Sequence, residues 1–299
     1  MKKEHSFLLG AHMSISGEMD LAIKRGVSIG CSAIQIFTKS NRQWHAKPIT
    51  HEEENAFKRA SKNSSIQSII AHASYLINIG SPNEDLEKKS VHALELELNR
   101  CTALDIPYLV LHPGSHTNTD EGACLARISN NINKVLANNL HCSILLETMA
   151  GQGSSVGHTF EHLAQIIKHV DHKNRVGVCF DTCHAFAAGY DFRTEKSYNL
   201  MWEQFDTIVG IDKIKAIHIN DSQKDIGSRV DRHTDIGKGK IGLKAFELLL
   251  NDPVFFDIPK ILETPKADLY DDKKNMETLI GLLTSKTRTL LNVAAIMEK

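Results

Sequence analysis

The chain has no Cys-x-x-Cys pair, although six cysteines (Cys31, Cys101, Cys124, Cys142, Cys179 and Cys183) are scattered along it. A disulfide framework is therefore not expected, and thiols set mostly within apolar runs read as the reduced, buried side chains of a cytosolic protein. No apolar stretch approaches the roughly 20 residues that cross a bilayer. The N-terminus, MKKEHSFLLGAH, has too few apolar residues before Gly10 for a signal-peptide core, so a cytoplasmic location without a membrane partner is expected. A charge excess is missing as well. With 35 basic and 36 acidic residues, composition makes no case for a nucleic-acid partner and excludes none. No GxGxxG follows the first apolar run, which argues against an open dinucleotide-binding sheet. No linker or low-complexity tract divides the chain either, so one domain spanning 1–299 is expected; a monomeric state is a separate expectation.

What is abundant is histidine, 16 in 299 residues. Short apolar runs at 6–11, 33–37, 66–71, 108–111, 142–146, 176–180, 214–217 and 258–262 read as strands buried on both faces. Helical periodicity lies between them, at 50–63, 123–138, 159–170, 197–209, 243–250 and 276–296. A further helix, with Ser81 as cap and Pro82 in its first turn, is marked by Leu86, Ser90, Leu94, Leu98 and Cys101. Eight strand–helix units in about 300 residues are the pattern of a (β/α)8 TIM barrel, whose sites form at the C-terminal ends of the strands.

The residues at those ends carry the chemistry. The third strand leads to His72, the fourth to His112, the fifth to Glu147, the sixth to Asp181 with His184 just beyond, the seventh to His218 and the eighth to Glu263. Asp231 and His233, two apart after the seventh strand, point the same way if that segment is extended. For any one of these residues a packed, hydrogen-bonded side chain is the commoner situation, and a lone D-x-x-H is more often a helix cap than a ligand pair. Nine such groups converging on one barrel mouth would be a severe desolvation problem without cations. Imidazole with carboxylate and no thiolate suits zinc, with manganese or iron as substitutes. Nine donors are too many for one ion and, with one carboxylate shared, suit two or three; clustered divalent metals most often serve phosphate-ester hydrolysis. Cys183, between two of these residues in DTCH, is expected to point away from Asp181 and His184 and to pack.

The strings HASYLINIG (72–80), HPGSH (112–116), LETMAGQGSSVG (146–157), VGVCFDTCHAFAAGYD (176–191), HINDS (218–222), GSRVDRHTDIGKGKIG (227–242) and ILET (261–264) resemble the endonuclease IV family of apurinic/apyrimidinic (AP) endonucleases. The resemblance runs from GAHMS at residue 10 to ILET. It implies a barrel holding three zinc ions. His72 and His112 would hold the first, bridged by Glu147 to a second held also by Asp181, His218 and Glu263, while His184, Asp231 and His233 would hold the third. All nine positions carry the residue type the family uses. Departures are Ala73, Thr148 and Met149, which bear on the hydrogen bonds around the ligands.

The resemblance further implies hydrolysis of the phosphodiester 5′ to an abasic site, with a zinc-bound hydroxide as nucleophile and Glu147 and Glu263 as catalytic carboxylates. The products would be a 3′-hydroxyl and a 5′-deoxyribose phosphate, and 3′ blocking groups would be removed by the same chemistry. The partner would be double-stranded DNA with abasic or 3′-blocked lesions. Arg42, Gln43 and Tyr75 would enter the duplex at the lesion, with Trp44 stiffening their loop. Lys39, Arg42, Arg229, Arg232, Lys238 and Lys240 all follow strands and are expected to form a phosphate-tracking rim, the glycines of GKGKIG admitting phosphate to the backbone. Two other classes compete. A sugar isomerase on a related barrel would also use histidine and carboxylate but has no need of the paired DTCH and DRH motifs. A noncatalytic DNA-binding barrel has no need of a complete ligand set.

Overall fold

The computed structural model describes residues 5–139 and 141–291. Eight parallel strands close into a barrel: β1 (Leu9–Met13), β2 (Ala33–Phe37), β3 (Ser68–His72), β4 (Tyr108–Leu111), β5 (Ser143–Glu147), β6 (Val176–Asp181), β7 (Ile214–His218) and β8 (Lys260–Leu262). Each pairs with its sequence neighbour and β8 closes on β1, as the right-handed strand–helix–strand connection dictates. The helices between them are α1 (Asp20–Ser28), α2 (His51–Lys62), α3 (Glu84–Ala103), α4 (Glu121–Asn138), α5 (Phe160–Lys168), α6 (Thr182–Ala188), α7 (Glu195–Ile208) and α8 (Leu243–Asn251), and β8 is followed by α9 (Leu269–Gly281) and α10 (Ser285–Leu290). Among the described residues no helix is long and apolar enough to cross a membrane.

Two layers of the barrel interior explain where the chemistry sits. Leu8, Ala33, Ile70, Val110, Leu145, Cys179, Ala216 and Ile261, one for each strand, form a buried apolar layer. Because side chains on a strand alternate, the residue two positions on faces the same interior one step nearer the C-terminal rim. Those residues are Gly10, Gln35, His72, His112, Glu147, Asp181, His218 and Glu263. At Gly10 a Cβ would overlap the Ala33 carbonyl oxygen, so no side chain fits there. The other seven positions are polar or ionisable.

Several boundaries differ from expectation. β1 and β3 begin later than residues 6 and 66, and β3, β5, β6 and β7 include their terminal polar residues, because the ladder continues through them: Phe37 is in register with His72, Glu147 with Cys179, and Asp181 with His218. The third helix is capped by Asn83, whose side chain accepts the Leu86 N–H at 2.9 Å, while Ser81 and Pro82 lie in the preceding turn. Helices α1 and α6 were not anticipated; both are short, and α6 turns directly out of β6. The expected helix at 276–296 is broken. α9 ends at Gly281, and Thr284 caps α10 by accepting the Thr287 N–H at 3.2 Å. Residues 292–296 of that expectation lie outside the described residues.

Candidate metal centre and its rim

All nine anticipated residues meet at the C-terminal mouth of the barrel. They fall into three sets, each with ligand-competent atoms within 4.8 Å of one another: His72, His112 and Glu147; Glu147, Asp181, His218 and Glu263; and His184, Asp231 and His233. Glu147 belongs to two sets and is wholly buried, with Oε2 3.1 Å from His72 Nε2 and 3.2 Å from His112 Nε2, and Oε1 3.0 Å from His218 Nδ1. The Asp181 carboxylate has a double task. Oδ1 caps α6 by accepting the His184 N–H at 2.7 Å, which turns the chain and brings His184 to the same mouth, while Oδ2 lies 3.7 Å from both His218 Nδ1 and His233 Nε2.

Hydrogen bonds from the rings select which nitrogen is free. His72 Nδ1 lies 2.7 Å from the Ala73 carbonyl, His184 Nδ1 3.0 Å from the Thr148 carbonyl, and His233 Nδ1 3.3 Å from the Glu263 carbonyl. A carbonyl only accepts, so those nitrogens carry protons, and Nε2 is the nitrogen of each ring left to face the other donors and to bind once its own proton is displaced. His184 Nε2 and His233 Nε2 are buried without a hydrogen-bond partner, although Asp231 oxygens lie 3.1 and 3.4 Å from them. Two orphaned imidazole nitrogens and a carboxylate aimed at one space fit a divalent cation better than they fit one another. The donor set therefore fits metal.

The electrostatics agree. Burial alone would raise the Glu147 carboxyl, but His218, His112 and His184 overcome it and hold it well below the usual range. Burial would lower His184, yet Asp181, Asp231 and Glu147 carry it well above its ordinary value; His233 is likewise pushed up to about 10, chiefly by Asp181. These rings hold a second proton strongly because the Asp181, Asp231 and Glu147 carboxylates face them. A divalent cation must displace those protons, so its binding strengthens as pH rises.

Cys183 packs as expected, wholly buried, but it does not point away from Asp181. The chain enters α6 at Thr182, so strand alternation stops, and the thiol lies within 4.8 Å of the ligand atoms of Asp181 and His233. A fifth cluster, Glu121, His158 and His162, joins the start of α4, the loop after β5 and the start of α5. There His162 Nδ1 accepts the Gly157 N–H at 3.2 Å, so Nε2 carries the proton and donates it to Glu121 at 3.0 Å. With both ring nitrogens engaged, this trio fastens α4 to α5 and offers His162 to no cation.

A family model described as a xylose isomerase-like TIM barrel matches residues 23–286. Probable endonuclease 4 from Chloroflexus aggregans is 50% identical over 277 residues, covering 92% of this chain and 97% of the relative. The probable endonuclease 4 of Geobacter sulfurreducens is 45% identical over 289 residues, covering 94% and 97%. The crystal structure of endonuclease IV from Thermus thermophilus superposes with a TM-score of 0.82 at 34% identity, covering 92% of this chain and 98% of that one. The chain belongs to the endonuclease IV family. A D-tagatose 3-epimerase-like protein also shares the barrel, with a TM-score of 0.71 at 21% identity over 96% of this chain and 99% of that one, a likeness of fold alone.

Around the mouth, the family-type loops are built from contacts that the sequence did not display. Tyr75 is 55% exposed, its ring centroid 5.3 Å from those of both His72 and His112, so it stands beside the metal set at the surface. Arg42 and Gln43 are exposed on the loop after β2, and Trp44 packs against the core with Lys89 4.5 Å over its ring. Lys39 does not join them at the surface. It is buried, 3.1 Å from the buried carboxylate of Glu97 on α3, and donates to the Gln43 carbonyl at 2.7 Å. Glu97 also accepts the Ser74 N–H, and Ser74 Oγ donates to the Asn41 carbonyl at 2.7 Å, so one ion pair ties the Gln43 loop to the Tyr75 loop.

The backbone of GKGKIG is likewise committed. The N–H groups of Gly237, Gly239 and Ile241 all donate to the buried Asp221 carboxylate at 3.0 Å, so they are not free for phosphate. Gly239 is required there because a Cβ would overlap the Asp221 side chain. The loop's cations remain outward: Arg229, Arg232, Lys238 and Lys240 are at least partly exposed, with Lys238 2.7 Å from Asp235. Sequence reasoning also missed His12 and Gln35, which touch Glu263 from β1 and β2.

Proposed function

We propose that this protein is a DNA-repair AP endonuclease. It hydrolyses the phosphodiester 5′ to an abasic site, leaving a 3′-hydroxyl and a 5′-deoxyribose phosphate, and removes 3′ blocking groups by the same chemistry. The observation that carries this reading is the donor arrangement: three sets, two of them sharing the buried Glu147, at the mouth of a barrel of the endonuclease IV family. His72, His112 and Glu147 would hold one zinc; Glu147, Asp181, His218 and Glu263 a second; His184, Asp231 and His233 a third. Manganese or iron could substitute in such nitrogen and oxygen sets. Metals held there would acidify a bound water and neutralise charge on the scissile phosphate.

The chain's own residues do the rest. Glu147 and Glu263 are the catalytic carboxylates of this reading: both are held ionised, each against its own burial, by neighbouring imidazoles, so each is an acceptor able to orient the attacking water. Four carboxylates against about six metal charges leave the pocket cationic, which suits a phosphate despite the neutral chain. Arg42, Arg232 and Lys238 would contact DNA phosphates, while Gln43 and Tyr75 would fill the stack where a base is missing. A sugar isomerase would have no use for the third donor set or for an exposed aromatic beside the first.

The test is incubation with a duplex carrying one abasic site, with and without chelator, beside an intact duplex. Nicking 5′ to the lesion that is abolished by chelation and restored by zinc, with about three metals per active chain, is expected. Protein loaded with three metals that leaves the abasic duplex intact would overturn the proposal.

A further inference from the structure

Gln35 is the one carboxamide in a layer otherwise made of metal-competent groups and Gly10. It stands two residues beyond Ala33 on β2, wholly buried, in a strand that is otherwise apolar. Its amide makes three contacts. Oε1 lies 2.8 Å from His218 Nε2, and Nε2 lies 2.6 Å from Glu263 Oε1 and 3.0 Å from His12 Nδ1. A carboxylate accepts only, so the end facing Glu263 must be the NH₂ group, and the carbonyl end faces His218. His218 Nε2 must then carry the ring proton. A neutral imidazole has one N–H, which leaves Nδ1 as the lone-pair nitrogen, and Nδ1 is the atom facing Glu147 at 3.0 Å and Glu263 Oε2 at 3.2 Å. By the same contact, the Gln35 amide occupies Glu263 Oε1 and leaves Oε2 turned toward the donor set.

We propose that Gln35 is a positioning residue for the second metal set, selecting His218 Nδ1 and Glu263 Oε2 as the atoms that face the ion. The inference rests on the metal reading above and adds to it a residue that is not itself a ligand. Its role is set by having a donor and an acceptor on one rigid plane. Neither a second carboxylate nor an apolar side chain could serve both partners, since the first cannot donate to Glu263 and the second contacts neither.

The test compares wild type with Gln35→Met, which keeps length and burial but removes all three amide contacts, and with Gln35→Ala in case Met packs poorly. Each is loaded with zinc or cobalt and titrated with chelator. In the variants one of three metals should be lost at about 10–100-fold lower chelator concentration, the usual cost of removing a partner of a ligand. The cobalt absorption band of that site should change, and kcat on the abasic duplex should fall with KM unchanged. The melting temperature of the metal-free protein should stay near wild type. Wild type holding three metals and a Gln35→Met variant holding all three with the same chelator resistance and cobalt spectrum would overturn the positioning role. Wild type holding fewer than two would remove the metal reading and the inference with it.

Discussion

The Lys39–Glu97 pair makes the sharpest quantitative prediction, because both side chains are almost completely buried, at 3% and 1% exposure, and the two loops proposed to enter DNA hang from it. Replacing Lys39 with Met leaves the Glu97 carboxylate in the interior with only the Ser74 N–H, at 3.2 and 3.3 Å, for compensation. Removing one partner of a buried pair costs about 3–5 kcal/mol, because the remaining charge stays desolvated. At about 2 °C per kcal/mol for a chain of this size, melting should fall by roughly 6–10 °C. Burial already raises the Glu97 carboxyl and Lys39 pulls it back, so without Lys39 it should rise further. A carboxyl whose folded pKa is raised binds a proton more tightly when folded, and stability is lost as pH rises from the unfolded value toward the folded one. The gap between Lys39→Met and wild type should therefore be wide at pH 8 and narrow at pH 5.

The double variant Lys39→Met, Glu97→Leu removes both charges and should recover most of that loss, since replacing a buried pair by apolar groups is often close to neutral. Stability would then be near normal while the Gln43 and Tyr75 loops have lost their shared tie. Denaturant melts of the four proteins give the coupling energy, expected at about 2 kcal/mol or more, and binding to abasic and intact duplexes reads the loops. Two single variants within about 1 kcal/mol of wild type, adding without coupling, would refute the argument. Recovered stability with undiminished lesion preference would keep the pair but discard its link to recognition.

Tyr75→Ala should retain metal, bind abasic duplex less tightly and lose preference over intact duplex, since filling the stack offsets an unstacking cost of a few kcal/mol. Lys238→Ala should weaken both duplexes alike and lower the salt slope by at most about 1, Asp235 already neutralising part of its charge. If the two variants gave one pattern, Tyr75 would be a packing residue. Lys260 is buried on β8, its Nζ donating to the Phe255 and Ile258 carbonyls, and burial lowers its pKa to about 7. The unfolded chain then binds more protons between about pH 7 and 10.5, so wild-type stability should rise over that window by up to about 5 kcal/mol relative to Lys260→Met. Parallel pH profiles for the two proteins would show that Lys260 keeps an ordinary pKa.

The barrel and its nine candidate ligands were legible because both depend on short-range pattern. Strands buried on both faces leave continuous apolar runs, and a histidine or carboxylate closing such a run is conspicuous in any sequence. Lys39 shows where that stops. It follows a strand as the exposed Arg42 does, and nothing local distinguishes them; the difference is Glu97 on α3, a partner that only the fold supplies. The GKGKIG loop fails in the same manner. Its glycines look available to phosphate until Asp221, back in HINDS, is seen to take three of its N–H groups.

Gln35 was missed for a different reason, and the signal was present. A search confined to charged or imidazole side chains at strand ends passes over a neutral amide inside AIQIF. Period-2 alternation would have found it: stepping back two residues from each of six ligands lands on Ile70, Val110, Leu145, Cys179, Ala216 and Ile261, all of them apolar or thiol. The corresponding step from Gln35 lands on Ala33, in the same layer. A buried polar group at a layer position must be satisfied by what else occupies that layer, and here that is His218 and Glu263. In a closed parallel barrel, the residues that support a metal site are therefore sought on the strands that contribute no ligand, at the register the ligands define.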